Sequence, residues 1–117
     1  MSRPNQVLKT LQEKGEVSFK PHGSSMVPKI NSGDLVKVKA VPSSTYRVGD
    51  IVYCKVKGSY YLHLLTAIDV SKAKYQISNN KNHINGWIGE QSLFGICIEV
   101  AGRIIVSAER LMAAIKG

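Results

Sequence analysis

The chain has 117 residues, 44% of them hydrophobic, which suits one compact domain with a single core. Sixteen Lys and Arg residues against eight Asp and Glu residues give a formal net charge of +8, which favours nucleic acid or an acidic protein as a partner. The lysines are scattered along the chain and not clustered, which favours an ordinary solvated surface.

The apolar runs exclude a membrane-spanning helix, because charged residues and glycines interrupt them well before the roughly 20 residues that cross a bilayer. Lys9, Glu13 and Lys14 also break the stretch that would form the apolar part of a secretory signal. We therefore expect a soluble, cytoplasmic protein with no membrane partner.

An amphipathic helix is predicted over residues 4–14, because the apolar residues have helical spacing and Gly15 follows the last turn. Polar and apolar residues then alternate over 16–20, as in a short strand. The next segment, PHGSSMVP at 21–28, contains two prolines and a glycine, which predict a loop.

Strand patterns dominate the middle of the chain. Period-two alternation begins after Asp34. The stretch IVYCKVKGSYYLHLL at 51–65 has the pattern of two strands joined by a turn at 57–59. Cys54 and Cys97 stand within apolar alternations of this kind and are predicted to be buried free thiols.

The remainder of the chain is predicted to contain a turn, two late strands and a helix. The asparagine-rich segment 77–87 is interpreted as a structured turn with Trp87 packed over it. The two late strands flank a turn at Ala101-Gly102. The segment 107–117 has alanine-rich helical spacing, a serine as N-cap and a closing glycine.

Ser25 is the candidate nucleophile. A serine attacks only when a base takes its proton and backbone donors hold the oxyanion, and a Ser-Ser pair in a loop is by itself most often a turn. The surrounding sequence GSSMVPKINSGDLVKV, at 23–38, resembles the serine box of signal peptidases and LexA-type self-cleaving repressors. In that family the serine directly before the methionine attacks. The resemblance therefore implies Ser25 as nucleophile, Ser24 and Met26 as supporting residues, and Ser24 as a contributor to the oxyanion hole.

Two Gly-Asp pairs, Gly33-Asp34 and Gly49-Asp50, also match the family pattern. A Gly-Asp pair before a strand is a good turn in any β protein, so a structural role is favoured for both.

The resemblance implies a general base on the second strand of the hairpin that follows the second Gly-Asp pair, where the sequence YYLHLL has His63. Bacterial signal peptidases and LexA-like proteins carry lysine there, whereas endoplasmic-reticulum and archaeal signal peptidases carry histidine. An imidazole with a pKa of about 6.5 is a competent base near neutral pH. Lys55 and Lys57, on the preceding strand, are rival bases that fit the family spacing less well.

A third residue would orient the imidazole, and segment 77–87 resembles the late signal-peptidase box with amides in place of carboxylates. Asn79, Asn80 and Asn85 are the amides, and Ser78 is an alternative hydrogen-bonding partner. We predict a Ser-His dyad supported by Ser78 and Asn80, with the third member left open.

No cofactor and no metal are predicted. His22 and His83 lie in loops, and no carboxylate or cysteine has ligand spacing to them.

The resemblance covers about residues 20–106 and implies a mainly β protein, with the twisted antiparallel β fold of the LexA/signal-peptidase type and short N- and C-terminal helices. We expect one domain over 1–117, with a helix and lead-in over 1–19, a β protease core over 20–106 and a helix over 107–117. An extended peptide would add as a strand beside the site, with small side chains near the cut.

The implied function is that of a serine endopeptidase with a Ser-His dyad, which cleaves a protein partner or itself in a phage or mobile element. The alternative is a catalytically inactive β-fold module that binds nucleic acid or an acidic protein through its basic surface. A homodimer is compatible with the resemblance, because LexA-type domains pair through late strands.

Overall fold

The architecture is one sheet of eight antiparallel strands with a helix at each end, in a computed structural model that describes residues 4–116. The elements are α1 (Pro4–Lys14), β1 (Glu16–Phe19), β2 (Val36–Lys39), β3 (Ile51–Val56), β4 (Ser59–Asp69), β5 (Lys74–Ser78), β6 (Ile84–Gly89), β7 (Leu93–Val100), β8 (Arg103–Ile104) and α2 (Ala108–Lys116). This mainly β arrangement with short terminal helices confirms the expected fold class.

The strand order positions the β3–β4 hairpin inside the sheet. The order is β1-β2-β7-β3-β4-β5-β6, and β8 pairs with β7. The predicted hairpin is confirmed, and Lys57 and Gly58 in its turn have positive φ values of 50° and 86°. Two-residue turns of this kind match the twist of the strands that they join. The hairpin carries His63 on β4, opposite Val52 on β3.

Two apolar clusters form the core. The first cluster joins α1 to β1, β2 and the loop after β1, with Leu11 fully buried. The second cluster lies mainly among β3, β4, β5 and β7, with Leu65 and Ile77 fully buried. Cys97 lies in the first cluster and Cys54 in the second, both as the buried free thiols that were predicted.

Helix α1 begins and ends where the sequence pattern predicts and packs closely on the sheet at Gly95. A Cβ atom at Gly95 would lie 2.8 Å from the backbone oxygen of Lys39, closer than real Cβ atoms approach, and 3.2 Å from a Leu11 methyl group, which is a tight contact. Glycine at this position therefore allows the helix to lie directly against β7.

The asparagine-rich segment differs from its prediction. Its turn is confined to residues 79–83, and the residues that follow form β6 at the edge of the sheet. Trp87 is 49% exposed and is not packed over the turn. The sequence of β6 does not show the alternation typical of a strand. An edge strand tolerates polar residues, and a bulge opposite Ile77 and Ser78 interrupts the alternation.

Helix α2 is joined to the sheet by a buried ion pair. Its N-cap Ser107 accepts a hydrogen bond from the Arg110 N–H at 3.1 Å. The Arg110 guanidinium donates to both carboxylate oxygens of Asp50 at 2.7 and 2.6 Å, a contact that was not predicted. Asp50 also accepts the Arg47 N–H at 2.7 Å, in keeping with the turn predicted at the second Gly-Asp pair. Over residues 4–116, neither helix is long and apolar enough to span a membrane.

Candidate active site

Ser25 lies in the loop between β1 and β2, residues 20–35, which we call the nucleophile loop. Met26 and Ile30 bury their side chains in the first cluster, at 5% and 4% exposure. The loop is closed at its base by a hydrogen bond from the Gly33 N–H to the Pro21 oxygen, at 2.9 Å. The residue directly after Ser25 thus fixes the loop to the core, while Ser25 itself stays half-buried at the surface.

The Ser25 hydroxyl lies 2.9 Å from Nε2 of His63. His63 comes from the middle of β4 and is only 6% exposed, so neighbouring strands limit its movement. The ring of Tyr61 packs against its ring with centroids 4.6 Å apart. The two residues chosen from the sequence as nucleophile and base are therefore within hydrogen-bond distance.

The opposite nitrogen of the same ring, Nδ1 of His63, lies 2.7 Å from Oδ1 of Asn85. An amide oxygen only accepts hydrogen bonds, so this contact requires the proton on Nδ1 and leaves the Nε2 lone pair for the Ser25 hydroxyl proton. That tautomer is the one that a general base acting on Ser25 needs.

A β-bulge directs Asn85 toward His63. Ile77 on β5 pairs with Gly86, but the next residue, Ser78, pairs with Ile84, so Asn85 is the extra residue on β6. Bulges re-aim side chains and are frequent beside functional sites. In the sequence, Asn85 was one of three amides that could orient the imidazole. The one local signal for it was Gly86, because a glycine inside a strand often marks a bulge.

The environment of His63 favours its neutral form. Burial lowers the pKa of the imidazole below its ordinary value of 6.5. The hydrogen bond to Asn85 acts in the opposite direction, and the positive charge of nearby His83 lowers the pKa further.

Asn80 joins the nucleophile loop to the β5–β6 turn. Its backbone N–H donates to the Ser25 oxygen at 2.9 Å, and its side-chain amide donates to the Val27 oxygen, also at 2.9 Å. Asn79 shapes the turn itself, because its side-chain oxygen accepts the N–H groups of Lys81 and His83. Asn80 therefore contacts the backbone of Ser25, whereas Asn85 contacts the ring of His63.

The other candidates from the sequence are exposed or make contacts with residues other than Ser25 and His63. Ser24 is exposed next to Ser25. The Ser78 hydroxyl is buried and is 2.8 Å from the hydroxyl of Thr66. The ammonium of Lys55 lies over the Tyr60 ring, 5.1 Å from its centroid, and Lys57 is exposed in the hairpin turn.

A cavity of about 510 Å³ adjoins both Ser25 and His63. It lies between α1, β1, the nucleophile loop and the β3–β4 hairpin. Within residues 4–116, no group of three or more His, Cys, Asp or Glu side chains is arranged to hold a metal ion.

Comparisons with known proteins identify the family. No curated protein matches the chain by sequence. The family model described as Peptidase S24-like matches residues 6–104 and so includes Ser25, His63 and Asn85. This match covers most of the chain, and the chain therefore belongs to the Peptidase S24-like family, within the LexA/signal-peptidase superfamily that the serine box had indicated.

Proposed function

We propose that the protein is a serine endopeptidase in which Ser25 is the nucleophile, His63 the general base and Asn85 the residue that orients His63. The observation that carries the proposal is the chain of two contacts through one imidazole, 2.9 Å to Ser25 and 2.7 Å to Asn85. A nucleophile, a base and an orienting group in this order form the general arrangement of serine hydrolases.

Acylation begins when Nε2 of His63 takes the Ser25 hydroxyl proton while the hydroxyl oxygen bonds to the carbonyl carbon of a peptide. The resulting oxyanion needs N–H donors. The N–H groups of Ser24, Ser25 and Met26 donate no hydrogen bond within the described part of the chain, so they are available for this role. The tetrahedral intermediate then expels the amine, which takes the proton from Nε2, and leaves an acyl-Ser25 ester.

Deacylation repeats these steps with water. His63 takes a proton from the water, the hydroxide attacks the ester carbon, and the proton returns to the Ser25 oxygen as the acid leaves. During both acylation and deacylation the Asn85 oxygen accepts a hydrogen bond from the Nδ1–H group of His63 and keeps Nε2 directed at Ser25. A neutral amide does this without the charge stabilisation that a carboxylate would give to the imidazolium.

The test compares proteome digests made with wild type, Ser25→Ala, His63→Ala and Lys55→Ala. New peptide N-termini are identified by mass spectrometry. We expect cleavages that disappear in Ser25→Ala and His63→Ala and persist in Lys55→Ala. Ser44→Ala, which removes an exposed hydroxyl distant in sequence from the site, is the matched control. Cleavage that survives Ser25→Ala would refute the proposal, and loss in Lys55→Ala with retention in His63→Ala would transfer the role of base to the lysine.

A further inference from the structure

The cavity beside Ser25 and His63 is much larger than a small side chain requires. At about 510 Å³ it falls within the range of roughly 300–1,000 Å³ that is usual for ligand pockets. A methyl side chain in such a space would leave most of the wall without a contact partner, and that loss of contact is unfavourable. The resemblance implied small side chains near the cut, and the volume of the cavity indicates a larger one.

The wall of the cavity is apolar and aromatic. Its apolar lining includes Val7 from α1, Phe19 from β1, Ile30 from the nucleophile loop, Tyr53 from β3, and Tyr60 and Leu62 from β4. The aromatic rings pack against one another before any ligand is present. Phe19 and Tyr53 meet edge to face at 5.7 Å, and Tyr53 stacks on Tyr60 at 5.9 Å. An aromatic ligand side chain gains contact energy from such surfaces beyond the area that it buries.

The wall is also preformed. Val7, Tyr53 and Leu62 are between 4% and 8% exposed and belong to the first cluster. Because packed cores resist collapse, the cavity does not shrink around a small ligand.

Charge in the cavity selects against cations. The side chains that line it include Lys20, His22 and His63 but no carboxylate. A substrate lysine or arginine placed there would lose water without gaining an opposite charge, which is costly.

We propose that this cavity is the specificity pocket of the peptidase and that it selects a large apolar side chain, aromatic in preference, on a residue adjoining the scissile bond. The assignment of the pocket to peptide cleavage rests on the proposed function. Ser25 and His63 line the same cavity, so a side chain bound there brings its own carbonyl or amide next to the nucleophile. Helix α1 supplies Val7 and is thereby part of substrate recognition.

The first experiment measures binding without turnover. ¹⁵N-labelled Ser25→Ala protein is titrated with N-acetyl-phenylalanine N-methylamide and, separately, with the alanine and lysine analogues. We expect the phenylalanine probe to bind at least tenfold more tightly than the other two and to shift amide resonances of Phe19, Tyr60 and Leu62. Equal binding of the three probes, no binding, or shifts confined to other residues would overturn the proposal.

Two substitutions at Val7, each made in the Ser25→Ala protein, change the free volume of the pocket. Val7→Phe fills it and should abolish binding of the phenylalanine probe, whereas Val7→Ala enlarges it and should retain binding. Lys9→Ala, at an exposed position of the same helix, is the control. Retained spectral dispersion establishes that each variant is folded, and unchanged binding in a folded Val7→Phe variant would contradict the assignment.

Cleavage by the wild type separates this inference from the proposed function. Ser25-dependent cleavage sites with an excess of Phe, Tyr, Leu or Met beside the scissile bond support both the peptidase function and the pocket assignment. Ser25-dependent cuts enriched in Ala, Gly or Ser refute the pocket assignment and leave the peptidase intact. If no Ser25-dependent cut occurs, the peptidase proposal fails, and the binding experiment alone decides whether the pocket selects large apolar groups.

Discussion

At the scale of single residues, the proposed chemistry depends on the contacts of the two ring nitrogens of His63, Nε2 with Ser25 and Nδ1 with Asn85. Burial makes protonation of His63 unfavourable, and Asn85 offsets this only in part because an amide oxygen carries no full charge. The His63 imidazole is therefore neutral at neutral pH, with its Nε2 lone pair toward Ser25. The resemblance pointed to Ser25 and His63 from local sequence alone. The contact of Asn85 could not be predicted, since a one-residue bulge decides which side chain of β6 faces β4.

The lowered pKa of His63 predicts the acid side of the pH profile. Peptidase activity should fall as the pH decreases through a midpoint below 6.5, because only the neutral imidazole accepts the Ser25 proton. The midpoint is measured from kcat/KM against pH, and the His63 ring is followed independently by NMR. A midpoint above 6.5 in both measurements would contradict the environment described for His63.

The lowered pKa of His63 also affects the stability of the fold. The unfolded chain binds the His63 proton at a higher pH than the folded chain, so His63 lowers the free energy of unfolding as the pH falls below 6.5. In His63→Gln this part of the acid destabilisation should be absent, as urea unfolding at neutral and acidic pH would show.

Two substitutions of Asn85 distinguish the orientation of the His63 ring from the effect of a negative charge beside it. Asn85→Ala removes the partner of Nδ1 and should lower kcat on the order of 10²-fold through misorientation of His63. Asn85→Asp keeps an acceptor and adds a negative charge, which raises the His63 pKa and moves the acid midpoint of activity to higher pH. Lys81→Ala, in the exposed turn before β6, is the comparison. An unchanged midpoint in Asn85→Asp would argue against contact between the two side chains.

At the scale of elements, a few polar contacts hold the nucleophile loop and helix α2 in place, whereas α1 is held by the apolar core. Asn80 links the β5–β6 turn to the backbone of Ser25 and Val27. Arg110 links α2 to Asp50, and its guanidinium also donates to the Thr45 oxygen at 2.9 Å. The helices and the β3–β4 hairpin were predictable because their periodicity and turn residues are local. The partners of Asn80 and Arg110 were not, because each contact joins residues distant in sequence.

Removing the side-chain amide of Asn80 should loosen the nucleophile loop. Asn80→Ala loses the hydrogen bond to Val27 and is expected to cost about 1 kcal/mol of stability. Activity should fall further than this small loss of stability would cause, because Ser25 would no longer be held opposite His63. Chemical denaturation and kcat measured on the same preparation test this, with exposed Lys81→Ala as control. Unchanged kcat would show that the loop keeps its position without Asn80.

The ion pair of α2 should contribute strongly to stability. Arg110→Met removes the charged partner of the buried Asp50 carboxylate and leaves it, within residues 4–116, only the Arg47 N–H, at 2.7 Å, so we expect a loss of about 3 kcal/mol in the free energy of unfolding. Lys9→Ala breaks the exposed pair of Lys9 with Glu13 and should change stability by no more than about 0.5 kcal/mol. The double variant Asp50→Asn with Arg110→Met should recover part of the loss. Equal effects of Arg110→Met and Lys9→Ala in urea unfolding would contradict this account.

At the scale of the whole molecule, the excess of positive charge is distributed over the chain and is not specific to the site. We expect retention on a heparin column that decreases steeply with salt, as for any protein that releases counterions on binding a polyanion. Ser25→Ala and His63→Ala should elute at the same salt concentration as the wild type. A shift in either variant would connect polyanion binding to the site and favour the nucleic-acid-binding alternative.

The three residues of the candidate site are far apart in sequence and are therefore synthesised at different times. Ser25 precedes His63 by 38 residues, and His63 precedes Asn85 by a further 22. A growing polypeptide therefore presents the nucleophile long before its base, and the base before the residue that orients it. In the proposed mechanism, Ser25 gains its base only once β4 has been made and an oriented base only once β6 has been made, so its full reactivity is acquired late in synthesis.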